Sequence, residues 1–248
     1  MHKGEQSITV ENLTFAYGED VILSKNSFSV RGPGLITLLG PNGSGKTTFF
    51  KLLIGILKPL EGRVFLNGED VTGDPFKAGV HASYVPQLSA VRRDLPLTGL
   101  EAVEAALQGK ERAERRSRAL EALRLVGAED LVNRKLSAMS GGQLQRVLIA
   151  RALVRDTPIV LMDEPFSGID PRGRENLADL ASELANDRLI LLSTHDPVLT
   201  LNKSKTIVVF NRGVKAVGSP EDVYKLELLK AAYGSGVLII EKCLHVLS

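Results

Sequence analysis

The chain has 248 residues, 44% of them hydrophobic, enough to bury a sizeable core. A formal net charge of +2 lacks the basic excess of proteins that bind nucleic acid or anionic membrane. With one cysteine, Cys243, no internal disulfide can form; no secretory leader is read at the start, and a reducing compartment is expected. No apolar run reaches the roughly 18 residues of a spanning helix, so any service to a membrane is expected from its side.

Residues 8–15, 21–30 and 35–39 read as strands punctuated by Gly18, Gly32, Pro33 and Gly34. Directly after the third, Gly40-Pro41-Asn42-Gly43-Ser44-Gly45-Lys46-Thr47 fits G-x-x-x-x-G-K-[ST] and opens a helix expected over Thr48 to Leu57. Glycines there leave backbone N–H groups free to wrap phosphate oxygens. The helix start adds its positive end, Lys46 a mobile charge, and Thr47 a hydroxyl for Mg²⁺.

Strands are next expected at Arg63 to Leu66 and Ala82 to Val85. From about Thr98 to Arg155 proline is absent. Leu100, Val103, Leu107, Leu120, Leu123 and Val126 recur at helical spacing, which reads as a helical lobe set into an α/β core. In its charged part, Glu111 with Arg115 and Glu114 with Arg118 have the i, i+4 spacing of a solvated helix. Ser140-Gly141-Gly142-Gln143 starts a helix running to about Val154. Ser140 and Gln143 form a capping box, and two adjacent glycines that a cap does not need suit close backbone approach to a ligand.

Ile159 to Met162 is an apolar strand ending in two acids. Asp163 is placed to reach Mg²⁺ through its water shell. Glu164, where Pro165 turns the chain, is placed to face a γ-phosphate and to orient or deprotonate water. Buried strands resume at Leu189 to Leu192 and Thr206 to Phe210, and a helix from Pro171 separates the first two, the alternation of a parallel sheet. A final helix is expected from Ser219 and Pro220, carrying Val223, Leu226 and Leu229.

In this order, these stretches resemble the nucleotide-binding subunits of ABC transporters over nearly the whole chain. The resemblance implies that Gly40 to Thr48 is the Walker A loop, Ile159 to Asp163 Walker B, and Glu164 the catalytic base. Ser140 to Gln143 is then the signature motif, presented to the ATP of a partner subunit in a head-to-tail dimer. Gln87 would sense Mg²⁺ and the attacking water, His195 would be the switch histidine, and Tyr17 would stack on adenine. Ser167-Gly168-Ile169-Asp170 would be the D-loop. The implied catalytic set is Glu164, His195, Lys46 and Gln87, and the implied magnesium set Thr47, Gln87 and Asp163. Met139 in place of the usual leucine, and Ser167 to Asp170 in place of Ser-Ala-Leu-Asp, are conservative departures.

The expected fold is α/β: a P-loop NTPase (RecA-like) core with an N-terminal antiparallel β subdomain and an inserted α-helical lobe. Residues 1–87 and 156–218 would form the core with its β subdomain, 88–155 the lobe, and 219–248 a C-terminal helical extension of one domain. The implied activity is hydrolysis of ATP, with Mg²⁺, coupled to solute transport through a separate membrane permease from the cytoplasmic side. Implied partners are a second copy or a homologous ATPase subunit, the permease subunits and a separate solute-binding protein, with no nucleic acid. The alternatives are a soluble ABC-type ATPase with a mechanical or scaffold role such as cluster assembly, and a nucleotide-gated binding protein without turnover.

Asp94-Leu95-Pro96-Leu97-Thr98, the run from Asp163 to Asp170, and a C-terminal helix running into Tyr233-Gly234 resemble most the ATPases of zinc, manganese or iron importers. His2, His81, His195 and His245 are scattered and Cys243 is alone. With no closed metal cage in the sequence, cargo selection is expected to fall to other subunits.

Overall fold

The computed structural model describes residues 6–107, 109–223, 225–233, 237–240 and 243–246. His2 and Gly234 lie outside the described residues. Strands β1 (Ser7–Tyr17) and β2 (Asp20–Arg31) form a hairpin that turns between Tyr17 and Asp20. β3 (Gly34–Leu39) leads through the glycine-rich loop into α1 (Lys46–Leu53), and β4 (Glu61–Leu66) and β5 (Glu69–Asp70) return beside β1. Next come α2 (Pro75–His81), β6 (Ala82–Val85) and the helices α3 (Gly99–Glu104), α4 (Arg112–Leu125) and α5 (Gly141–Leu153). The chain then alternates through β7 (Ile159–Asp163), α6 (Pro171–Leu184), β8 (Leu189–Thr194) and β9 (Thr206–Phe210). β10 (Val214–Gly218), α7 (Pro220–Val223), α8 (Leu226–Tyr233) and the paired strands β11 (Val237–Ile240) and β12 (Cys243–Val246) follow.

One sheet is antiparallel, in the order β2-β1-β4-β5; the other has the order β10-β9-β3-β8-β7-β6 and is parallel except for β10. β7 and β8 are buried at every residue, as strands covered on both faces must be. Because side chains alternate across a sheet, each central strand feeds two cores. Leu35, Val160, Met162, Ile190 and Leu192 join the side carrying α3 to α6. Ile36, Leu38, Ile159, Leu161, Leu189 and Leu191 pack with α1 and the antiparallel sheet. α3 begins at a reciprocal capping box of Thr98 and Glu101. α4 buries only Ala119, Ala122 and Leu123 along its length, and Glu114 sits between Lys110 at 2.7 Å and Arg118 at 3.7 Å, so the expected Glu114–Arg118 pair gains a second cation.

The structure departs from the sequence expectations in several places. The first helix is Lys46–Leu53, not Thr48 to Leu57: it starts inside the glycine motif and stops before Gly55, whose φ is 69°. α2 was not anticipated, although the Asp74 carboxylate accepts from Phe76 N and Lys77 N while Pro75 sits at the first helical position, a local start signal. The C-terminal region is not one helical extension: α7 and α8 are separate helices, and an aliphatic, β-branched run beginning at Val237 then pairs as strand.

Candidate functional site

Strand register gathers the candidate residues at the carboxyl ends of the parallel strands. Leu39 lies opposite Thr194, Asp163 opposite Ser193, and Val85 opposite Met162. The residues that follow each strand therefore emerge side by side: Gly40 after β3, Glu164 after β7, His195 after β8, and Gln87 two residues past the end of β6. The carboxyl ends of parallel strands are where open α/β sheets hold ligands.

Gly40 begins the loop in contact with backbone: a Cβ there would lie 2.0 Å from the Phe210 carbonyl oxygen, so no other residue fits. At the far end no side chain caps α1, which leaves its first N–H groups to an outside acceptor. Pro41 is half-buried, Asn42 and Gly43 are exposed, and Thr47 and Thr48 are half-buried on the first turn. Ser44 is buried, and its hydroxyl has no partner. Lys46 is also buried and folds back over the loop: Nζ donates to the carbonyls of Gly40 at 2.7 Å and Pro41 at 3.0 Å.

The same Nζ lies 3.0 Å from Glu164 Oε1, although not in hydrogen-bonding alignment. Glu164 Oε2 is 2.9 Å from His195 Nδ1. A single carboxylate thus bridges the lysine of the phosphate loop and the histidine of the next strand. Glu164 has φ 45°, in the left-handed region. A residue before proline favours extended backbone, so this conformation carries strain that the surrounding packing must hold.

Asp163 is fully buried and pinned from both neighbouring strands. The Ser193 hydroxyl donates to Oδ1 at 2.7 Å and the Tyr84 hydroxyl to Oδ2 at 3.1 Å. Glu164 N in turn donates to Ser193 Oγ at 2.9 Å. Burial, and then the negative charge of Asp163, hold the Tyr84 phenol above its ordinary pKa, so Tyr84 stays a donor. Neither Ser193 nor Tyr84 was legible in the sequence as a site residue, because only strand pairing brings them to Asp163. Arg212 was also missed. Its backbone N–H donates to Ser44 O at 2.9 Å and its guanidinium pairs with Asp20 at 3.0 Å, tying the β1–β2 turn to the phosphate loop. Tyr17 stands on that turn, half exposed, with Phe15 edge-on at 4.9 Å.

The signature stretch is not brought to this cluster. Ser140, Gly142 and Gln143 line a separate cleft of about 540 Å³ with Ile169, Asp170 and Asn176. Ser140 Oγ accepts from Gln143 N, and Gln143 Oε1 accepts from Ser140 N. The two glycines differ in cause. A Cβ on Gly141 would lie 2.4 Å from the Gly168 carbonyl oxygen, whereas one on Gly142 would make ordinary contact with Ile169 at 3.5 Å. The close approach expected for a ligand is, at Gly141, an approach to the chain's own 167–170 loop. Asp170 caps α6 by accepting from Gly173 N at 3.0 Å.

The glycine loop opens an uncapped helix beside acids and a histidine at parallel strand ends, and the fold is of the α/β P-loop class. The sequence profile of the ABC transporter family matches residues 23–167. The chain is 34% identical over 221 residues to the Fe(3+) ions import ATP-binding protein FbpC of Escherichia coli K12, covering 88% of this chain and 63% of that one. It is 35% identical over 219 residues to the zinc import ATP-binding protein ZnuC of Pseudomonas putida, covering 87% and 79%. Against the spermidine/putrescine import ATP-binding protein PotA of Legionella pneumophila it is 37% identical over 224 residues, covering 88% and 60%. The chain thus spans less than two thirds of the iron and polyamine relatives. Among solved structures, a dimeric ATP-binding cassette in a post-hydrolysis state with ADP and Pi superposes with a TM-score of 0.75. That cassette shares 28% identity, with 86% of this chain and 98% of that one covered. The chain belongs to the ABC transporter family.

Proposed function

We propose that the chain binds and hydrolyses ATP as a head-to-tail dimer and thereby powers import of a solute, a metal ion, through a separate membrane permease. The observation that carries the ATPase part is the bridging carboxylate of Glu164, 3.0 Å from Lys46 and 2.9 Å from His195 at the open strand ends. Triphosphate oxygens at the loop compete with Glu164 for the Lys46 ammonium, since both are anions and the phosphates carry more charge. Released from Lys46, Glu164 accepts the proton of a water attacking the γ-phosphorus in line, and His195 and Lys46 balance the charge that spreads over the phosphoryl oxygens.

Magnesium fits the donors present. It takes one or two protein ligands and completes its shell with phosphates and water, so it needs no protein cage. Thr47 and Asp163 would hold it, with Gln87 toward the same strand ends; each Asp163 oxygen accepts one hydrogen bond and keeps acceptor capacity. Held there, the ion would supply positive charge against the phosphate oxygens. Tyr17 offers its ring to the base, and Ser140 to Gln143 face the partner's nucleotide.

A permease surface is supported next to the site. A cleft of about 570 Å³ runs between α2, β6 and the helices beyond, lined by Phe76, Tyr84, Lys110, Arg118, Arg151 and Arg155. Phe76 and Val80 on α2 are 89% and 70% exposed, so the rim is apolar beside cations and suits an amphipathic segment carrying acids. Among the described residues no helix is long and apolar enough to cross a membrane, and the membrane passage is assigned to the permease. The metal cargo is supported by the iron and zinc relatives. The experiment is uptake of radioactive Fe, Zn²⁺ and Mn²⁺ in cells lacking the gene, beside uptake of polyamines. Loss of metal uptake alone is expected; intact metal uptake with loss of polyamine uptake overturns the cargo and leaves the ATPase standing.

A further inference from the structure

α8 packs on β9 and β10, next to the end of β3. Its Leu229 and Ala232 are buried against Leu39, Ile207 and Val209, and Leu39 is the residue directly before the phosphate loop. Hydrogen bonds tie the end of this helix to the neighbouring turns. Asn211, just past β9, donates from Nδ2 to the Ala232 carbonyl at 2.8 Å. The Tyr233 hydroxyl donates to the backbone carbonyl of His195 at 3.2 Å.

His195 is the first residue past β8; Gly40 N donates to the Thr194 carbonyl at 3.2 Å just before it, and the turn after it is held locally. The Thr194 hydroxyl donates to Asp196 O at 3.0 Å and accepts from Asp196 N at 3.1 Å. Tyr233 reaches the same turn from 38 residues away in sequence. A peptide plane held at its carbonyl restrains ψ of the residue that bears it, one of only two soft backbone dihedrals there, and so limits the directions in which that Cα projects its side chain. The His195 ring stands 2.9 Å from Glu164, where a small rotation decides whether the contact exists.

We infer that Tyr233 is a positioning residue: its hydroxyl holds the His195 peptide so that the imidazole stays against Glu164, and α8 is the buttress that brings it there. This rests on the reading of His195 and Glu164 as parts of the ATP-hydrolysing site. The test is Tyr233→Phe in the full chain, which keeps the ring and removes the hydroxyl. Turnover should fall about three- to tenfold, what a lost neutral hydrogen bond is worth, with ATP affinity unchanged. The His195 Hε1 resonance, assigned by its absence in His195→Ala, should move in the same variant. An unmoved resonance with unchanged turnover overturns the inference, as does a fall in turnover matched by an equal loss of ATP affinity. Wild-type turnover in His195→Ala removes the reading beneath it and the inference together. An inactive His195→Ala beside a fully active Tyr233→Phe removes the inference alone.

Discussion

Glu164 holds an unfavourable backbone angle and a buried charge at once, and both are tolerated because its neighbours are arranged around it. Ser193 Oγ accepts its backbone N–H, while Lys46 and His195 face its two carboxylate oxygens. Glu164→Gln keeps the shape and the backbone bond, and Lys46 retains the carbonyls of Gly40 and Pro41. ATP binding should therefore survive while turnover falls by about 10² to 10⁴, the usual worth of a positioned general base. Equilibrium ATP binding and phosphate release measure the two halves separately, and a wild-type rate would remove Glu164 from the mechanism. Lys46, Asp163 and Glu164 could be read from the sequence because their chemistry sits in short contiguous motifs at strand ends, whereas His195, a lone histidine after a strand, came only through the family resemblance. Ser193, Tyr84 and Arg212 could not, since nothing local marks a serine, a tyrosine or an arginine whose role is set by a neighbouring strand.

At the scale of elements, the start of α5 and the loop before α6 meet backbone to backbone. Gly141→Ala would force them apart, because its Cβ would lie 2.4 Å from the Gly168 carbonyl, and such overpacking costs about 1–3 kcal/mol. Gly142→Ala meets only ordinary contact and gains helix propensity of up to about 1 kcal/mol, so it should melt no lower than the parent. Thermal unfolding of the two variants side by side decides the matter; equal destabilisation would mean the Gly168 contact is not what requires Gly141. The capping box at Ser140 and the buried strands were legible because caps and apolar runs are local signals. The split between α7 and α8 and the strands β11 and β12 were not, because short segments without strong periodicity take their form from what they pack on. The start of α2 is itself a local signal, an Asp74 cap followed by Pro75 at the first helical position.

For the whole molecule, the signature stretch lines a cleft apart from the Lys46 cluster, so on the proposed head-to-tail reading a complete site needs two chains. Lys46→Ala and Ser140→Arg should each abolish hydrolysis, yet a mixture of the two should regain activity, since mixed dimers restore one intact site. No recovery in a mixture with pairing verified by light scattering would sink the shared arrangement. The contact of Gly141 with Gly168 then has a kinetic consequence. The short run from Glu164 to Asp170 has one end in a protomer's own nucleotide site and its middle against the helix offered to the partner's. On the proposed dimer, a shift of this run on filling one site would reach the other, so the two sites are expected to be thermodynamically linked; favourable coupling gives a rate that rises with ATP concentration along a sigmoid, and a hyperbolic rise would remove it.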